Sequence, residues 1–151
     1  MHEPNEALID VVGHMLSDGA FVIVDPDPDP TPVEGHRTEV RFGGPASGSI
    51  VVEAPLGLGL EIAQNLAPPE EPPSPETAAE ALREMANMIT GALLPRVFGG
   101  EHVFHLGIPT PLTPIEVTPP AQCAHQVGLV SEEGNRIRVC LRLDEEGGRS
   151  P

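Results

Sequence analysis

The sequence predicts an α+β fold: an antiparallel sheet of about six strands with one short and two longer helices packed on it. Three observations lead there. Apolar residues recur at helical spacing in two long stretches, one near the start of the chain and one between residues 75 and 97. β-rich runs fall in two groups of three, set apart by those helical stretches, and such segregation favours an antiparallel sheet over a parallel crossover design. The 19 prolines and 16 glycines collect between the apolar runs, where they act as loop punctuation.

At this length the chain is expected to form a single domain over residues 1–151, with 143–151 a frayed tail. Residues 5–17, NEALIDVVGHMLS, set Leu8, Ile9, Val12, Met15 and Leu16 on one helical face, and Asn5 is suited to cap the start. After Asp18-Gly19, AFVIVD reads as a first strand, ended by DPDPDPTP because proline cannot donate to a ladder. HRTEVRFG and SGSIVVEAP read as a hairpin around a Gly-rich connection. From Leu56, LGLGLEIAQNLA is a short helix, and PPEEPPSPE after it is a polyproline-prone linker.

Ser74-Pro75-Glu76 then supplies an N-cap, a first-turn proline and an acid at the positive end of a helix dipole, so a long helix is expected from there until Gly99-Gly100. HVFHLGIP, AHQVGLVS and NRIRVCLRL read as three more strands, the last two joined around Glu132-Glu133-Gly134-Asn135, with proline-broken PTPLTPIEVTPP before the second. Helix then three strands therefore occurs twice, without a residue-level repeat to match.

Composition removes several classes of function. The chain carries 23 acidic and 8 basic residues, all of the latter arginine, for a net charge of −15 that repels nucleic acid and anionic lipid. Trp and Tyr are absent and Phe is present only 4 times, so base stacking lacks its usual platform. No apolar run is long enough for a membrane span and the N-terminus lacks the pattern of a secretion signal, so a cytoplasmic protein is expected. Cys123 and Cys140 are then expected to be buried free thiols.

The long helix has two faces. At about 100° per residue, Ala78, Leu82, Met85, Ala86, Ile89, Leu93 and Val97 share an arc suited to the core. Glu80, Glu84, Asn87 and Gly91 project from the other side. Gly costs about 1 kcal/mol relative to Ala inside a helix and Asn several tenths, so both are poor choices for helix stability alone. Gly91 leaves room for another backbone, beside a charged acceptor and a neutral amide three residues apart. The spacing itself has little specificity: Glu132 to Asn135 repeats it and Glu61 to Gln64 nearly does.

The longer string EALREMANMITGALLPRVFG, residues 80–99, resembles the signature helix of the CheC/CheX/FliY family of chemotaxis phosphatases. Glu80, Glu84, Asn87 and Gly91 stand where that family has an acid or Ser, a Glu, an Asn and a Gly; where the family commonly has Asn after the glycine, this chain has Ala92. The first helix lacks a Glu-x-x-Asn, which resembles the single-site CheX type. The resemblance implies a CheX-like fold and a phosphatase acting on the aspartyl-phosphate of a CheY-like receiver domain. Asn87 would orient the attacking water, Glu84 would dock on the receiver lysine, and Glu80 and Gly91 would contact the partner. It implies no cofactor of its own, the Mg²⁺ coming with the receiver. The alternative is a non-catalytic module that binds a receiver or the flagellar switch through the same face.

Elsewhere no catalytic motif stands out. His102 and His105 would point to opposite sides of a strand, so no metal site is expected. Gly57 and Gly59 are read as packing residues. NRIRVCLRL, with its alternating charges, is suited to an exposed sheet edge, through which two copies could pair into a homodimer.

Overall fold

The two groups of strands interleave. The computed structural model describes residues 4–28, 33, 35–66, 72–111, 123 and 125–144. Helix α1 (Pro4–Ala20) leads to β1 (Val24–Pro26) and to the hairpin of β2 (His36–Gly43) and β3 (Gly48–Ala54). Helices α2 (Leu56–Leu66) and α3 (Pro75–Phe98) follow, then β4 (His105–Leu106), β5 (Thr110–Pro111), β6 (His125–Ser131) and β7 (Arg136–Leu143). They form one antiparallel sheet in the order β1-β6-β7-β3-β2-β4, with β5 also on β2. The sheet has seven strands where about six were expected: the first predicted run of the second group, HVFHLGIP, shrinks to β4, and β5 forms at the start of the proline-broken stretch after it.

Each half lends an outer strand to the other: β1 pairs with β6, β4 pairs with β2, and β3 and β7 meet at the centre. The doubled order seen in the sequence is thus a pseudo-symmetry of the fold. The helices share a core with one face of the sheet. Leu8, Val12 and Leu16 of α1, Leu58 and Ile62 of α2, and Leu82, Ile89 and Leu93 of α3 are buried with Val40, Ile50, Val52, Leu129, Ile137, Val139 and Leu141. All seven residues assigned to the core arc of α3 are buried. A Cβ at Gly59 would collide with the Ala78 carbonyl, so this glycine lets α2 and α3 approach closely.

Several boundaries move. Helix α1 begins at Pro4, which puts Asn5 inside it instead of at its cap, and runs through Gly19 to Ala20. It closes on Phe21 in the left-handed region, at φ 58, with Val22 N–H donating to the Leu16 carbonyl and Phe21 N–H to that of Ser17. The β-prone run AFVIVD therefore spends its first residues on a helix end, and β1 is only three residues long. On α1 itself, Ile9 is exposed and Val11 takes a buried place.

Strand β7 is at the centre of the sheet, not its edge, since β6 and β3 bond its two sides. Its arginines lie over the face away from the helices and find acids elsewhere: Arg136 donates to Asp27, just after β1, at 2.7 Å and Arg142 to Glu39 on β2 at 3.2 Å. Alternating charge here marks cross-strand pairing. The cysteines are bonded to each other, not free, with their Cα atoms 5.7 Å apart. Compartment statistics pointed to thiols, but Cys123, just before β6, comes up against Cys140 on β7. The expected tail lies outside the described residues from 145 on, and β7 itself reaches Leu143. Among the described residues no helix is long and apolar enough to cross a membrane.

Candidate active site

Burying one side of α3 leaves its other side outermost on the helical layer. The helix starts where the sequence indicates: the Ser74 hydroxyl accepts from Thr77 N–H at 3.2 Å, Pro75 occupies the first turn and Glu76 follows. It ends at Phe98, with Arg96 in the last turn and Gly99 at φ 99. From this frame Glu80, Glu84 and Gly91 are exposed and Asn87 is half-buried. Ala92, one residue beyond the glycine, turns away from the stripe and packs against the core.

A wall flanks the stripe. Phe42 of β2, Phe98 of α3 and Phe104 cluster with ring centroids 5.4 to 6.3 Å apart, pinning the chain after α3 onto the end of β2. Gly107 N–H then donates to the Arg41 carbonyl at 2.8 Å, and the chain passes alongside α3. A Cβ at Gly91 would lie 3.9 Å from Leu106, an ordinary contact, so the fold itself does not require glycine there. Pro95 lacks the N–H that would bind the Gly91 carbonyl in a regular helix.

Between helix and wall runs an open groove of about 350 Å³, lined by Glu80, Arg83, Glu84, Asn87, Ile108 and Pro109. It unites three of the four residues singled out in the sequence and adds three that sequence reasoning missed. Ile108 is 85% exposed, unusual for so large an apolar side chain. It was hidden within an expected strand, HVFHLGIP, that the structure reduces to two residues. Arg83 could have been noticed: it precedes Asn87 by one helical turn in a chain poor in cations.

The other copies of the spacing are consumed by the fold. Asn135 and Ser131 both donate to the Glu61 carboxylate, at 2.9 and 3.0 Å, so the acid of one copy binds the amide of the other. Gly134, at φ 87, completes that turn. Glu84 and Asn87, by contrast, make no side-chain hydrogen bond or ion pair among the described residues. They offer an acceptor and an amide to whatever enters the groove. His102 and His105 are exposed and only the second lies in a strand. Among the described residues no cluster of three or more His, Cys, Asp or Glu could hold a metal ion.

A family model described as chemotaxis phosphatase CheX matches residues 38–143, a span that includes all of α3 and the groove. The chain belongs to the CheX family. It is a chemotaxis phosphatase by that membership, and its α+β architecture is that of solved CheX structures. The chain is similar to CheX in a CheX-CheY-BeF3-Mg complex from Borrelia burgdorferi, with 18% identity, a TM-score of 0.72, and 95% of this chain and 99% of that one covered. It is also similar to CheX from Vibrio vulnificus, with 22% identity, a TM-score of 0.71 and coverage of 93% and 97%. CheX from Desulfovibrio desulfuricans aligns at 16% identity with a TM-score of 0.66, covering 93% and 100%. No curated protein matches the chain in sequence.

Proposed function

We propose that this CheX-family protein, acting as a single domain, hydrolyses the aspartyl-phosphate of a CheY-like receiver docked on the exposed face of α3. One observation carries the assignment: of the three Glu-x-x-Asn/Gln spacings in the chain, only Glu84 and Asn87 lie uncommitted in an open groove. The Borrelia relative, seen with CheY, BeF3 and Mg, supports a receiver as partner. Family membership favours catalysis over a purely binding module on the same surface.

In the reaction a water oxygen bonds to phosphorus as the bond from phosphorus to the aspartyl oxygen breaks. The receiver's carboxylate leaves and the water's protons pass to phosphate and solvent. Phosphoryl transfer of this kind needs position and charge compensation more than a strong base. The Asn87 carboxamide orients the water in line with the leaving oxygen. Glu84 pairs with the receiver lysine and sets the register, and Glu80 and Gly91 flank the contact, the glycine leaving space for the partner's backbone. The metal belongs to the receiver, and this chain brings no cofactor.

Such a partner places the protein in the cytoplasm, whose reducing conditions make the reduced form one to assay beside the disulfide-bonded one. Pairing of two copies would have to use β1 or the β4–β5 side, because those are the sheet's ends; a monomeric mass in light scattering would exclude it. The central test follows the decay of a receiver charged from a small phosphodonor, with and without the protein. Acceleration that vanishes in Asn87→Ala is expected, and equal decay with the parent and that variant would sink the assignment.

A further inference from the structure

Among the described residues almost every cation is spoken for. Arg37 is 2.9 Å from Glu53, Arg41 3.3 Å from Asp144, Arg96 2.7 Å from Asp10, Arg136 2.7 Å from Asp27 and Arg142 3.2 Å from Glu39. Arg138 is buried in the sheet. Arg83 differs from these: it is exposed, has no carboxylate within ion-pair distance among the described residues, and lines the groove with Glu84 and Asn87. In a chain with 23 acidic residues, a cation without an acid is the exception to be explained.

We propose that Arg83 is a partner-recognition residue, which pairs with a carboxylate at the rim of the receiver's phosphorylation pocket and offsets the repulsion between two acidic surfaces. This rests on the receiver as substrate. The position suits the role: one helical turn before Asn87, on the same face, so that its long side chain reaches past the amide toward a docked partner. A contact to the reacting phosphoryl group fits less well. Stabilising a transition state requires a donor held in place beforehand; Asn87 is half-buried on a short side chain, whereas Arg83 is exposed at the end of a long one. An exposed cation at the rim instead acts on encounter and affinity, and its effect fades with salt.

Arg83→Ala, Arg83→Glu and Arg83→Lys should be compared with the parent in two assays: decay of a phosphorylated receiver, and binding to the same receiver loaded with BeF3 and Mg²⁺. Arg83→Ala is expected to raise KM and Kd about tenfold and to leave kcat within about twofold, Arg83→Glu to go further, and Arg83→Lys to retain most of the affinity. The fall of the parent's kcat/KM with ionic strength should flatten in Arg83→Ala. Unchanged affinity in Arg83→Ala and Arg83→Glu overturns the role of Arg83. So does a loss confined to kcat, which would put the guanidinium on the phosphoryl group. If the parent binds the receiver without speeding decay, hydrolysis fails as the function while the binding assay still decides on Arg83. If the parent does not bind at all, both fall.

Discussion

Helices α1 and α3 present the same succession of buried and exposed positions to opposite halves of one pseudo-symmetric fold. Glu6-Ala7-Leu8 in α1 corresponds to Glu80-Ala81-Leu82 in α3; Leu8, Val11 and Val12 are buried as Leu82, Met85 and Ala86 are. Ile9 and Asp10 face outward like Arg83 and Glu84, and Gly13 stands half-buried where α3 has Asn87. Each face even carries a groove of similar size, that of α1 lined by Glu6, Ala7, Ile9, Asp10 and Arg96. The difference lies in what the side chains are already doing. Asp10 accepts from Arg96 at 2.7 Å, and this hydrogen bond is the main reason its carboxyl titrates below the ordinary carboxylate value. Glu84 has no such partner among the described residues. A carboxylate satisfied within the chain ties α1 to α3; one left open is available to another protein.

Removing the amide should have the largest effect. Asn87→Ala is expected to lower receiver dephosphorylation about 100-fold, the cost of losing a positioned reactant, while the affinity for a BeF3-loaded receiver is kept. Adding Gly13→Asn to that variant should restore nothing, because Asp10 next to the new amide is held by Arg96. Recovered turnover in the decay assay would mean that helix register alone makes a site and that the two faces are equivalent.

Glu84→Ala should act mainly on binding, raising KM about tenfold through the lost lysine pair; an equal loss in kcat at constant KM would remove it from docking. Gly91→Ala separates folding from function on the same face. With only an ordinary contact waiting for its Cβ, alanine should raise thermal stability by up to about 1 kcal/mol, yet weaken receiver binding where the partner needs that space. A variant no more stable than the parent would assign the glycine to the Pro95 turn instead.

The smallest effect belongs to α1. Arg96→Ala should lower Tm slightly near neutral pH and leave receiver turnover unchanged. Because the folded carboxyl of Asp10 is depressed, the stabilisation is present above its unfolded pKa and is lost as pH falls through the folded value. Melting curves of parent and variant should therefore converge below about pH 4, where a free Asp carboxyl becomes protonated. A gap that persists in acid would mean that Arg96 acts by packing.

Periodicity and caps made much of this molecule legible in its sequence. The long helix was readable because Ser74, Pro75, the apolar arc from Ala78 to Val97 and Gly99 all act within a turn of their own backbone. The hairpin of β2 and β3 was readable for the same reason. Misreadings came where a residue serves a distant partner. AFVIVD has strand-like side chains, yet the Val22 N–H is spent on the Leu16 carbonyl. The arginines of β7 have the alternation of a wet edge, yet they meet acids from distant segments at the centre of the sheet. Cys123 and Cys140 are 17 residues apart: the turn at Glu132–Asn135 indicates that their strands meet, but Cys123 lies ahead of β6 and no local signal shows that it comes up against Cys140.

By itself the sequence determined the two-faced helix, its ends, and the row of Glu80, Glu84, Asn87 and Gly91, since a helix repeats every 3.6 residues whatever surrounds it. Only the tertiary structure decided which of three similar spacings stays free. That choice depends on which acids and amides meet across the fold: Glu61 with Asn135, Asp10 with Arg96, and Glu84 and Asn87 with neither. It also built the second wall of the groove, where Phe42 of distant β2 packs with Phe98 and Phe104 and so places Ile108 beside the helix.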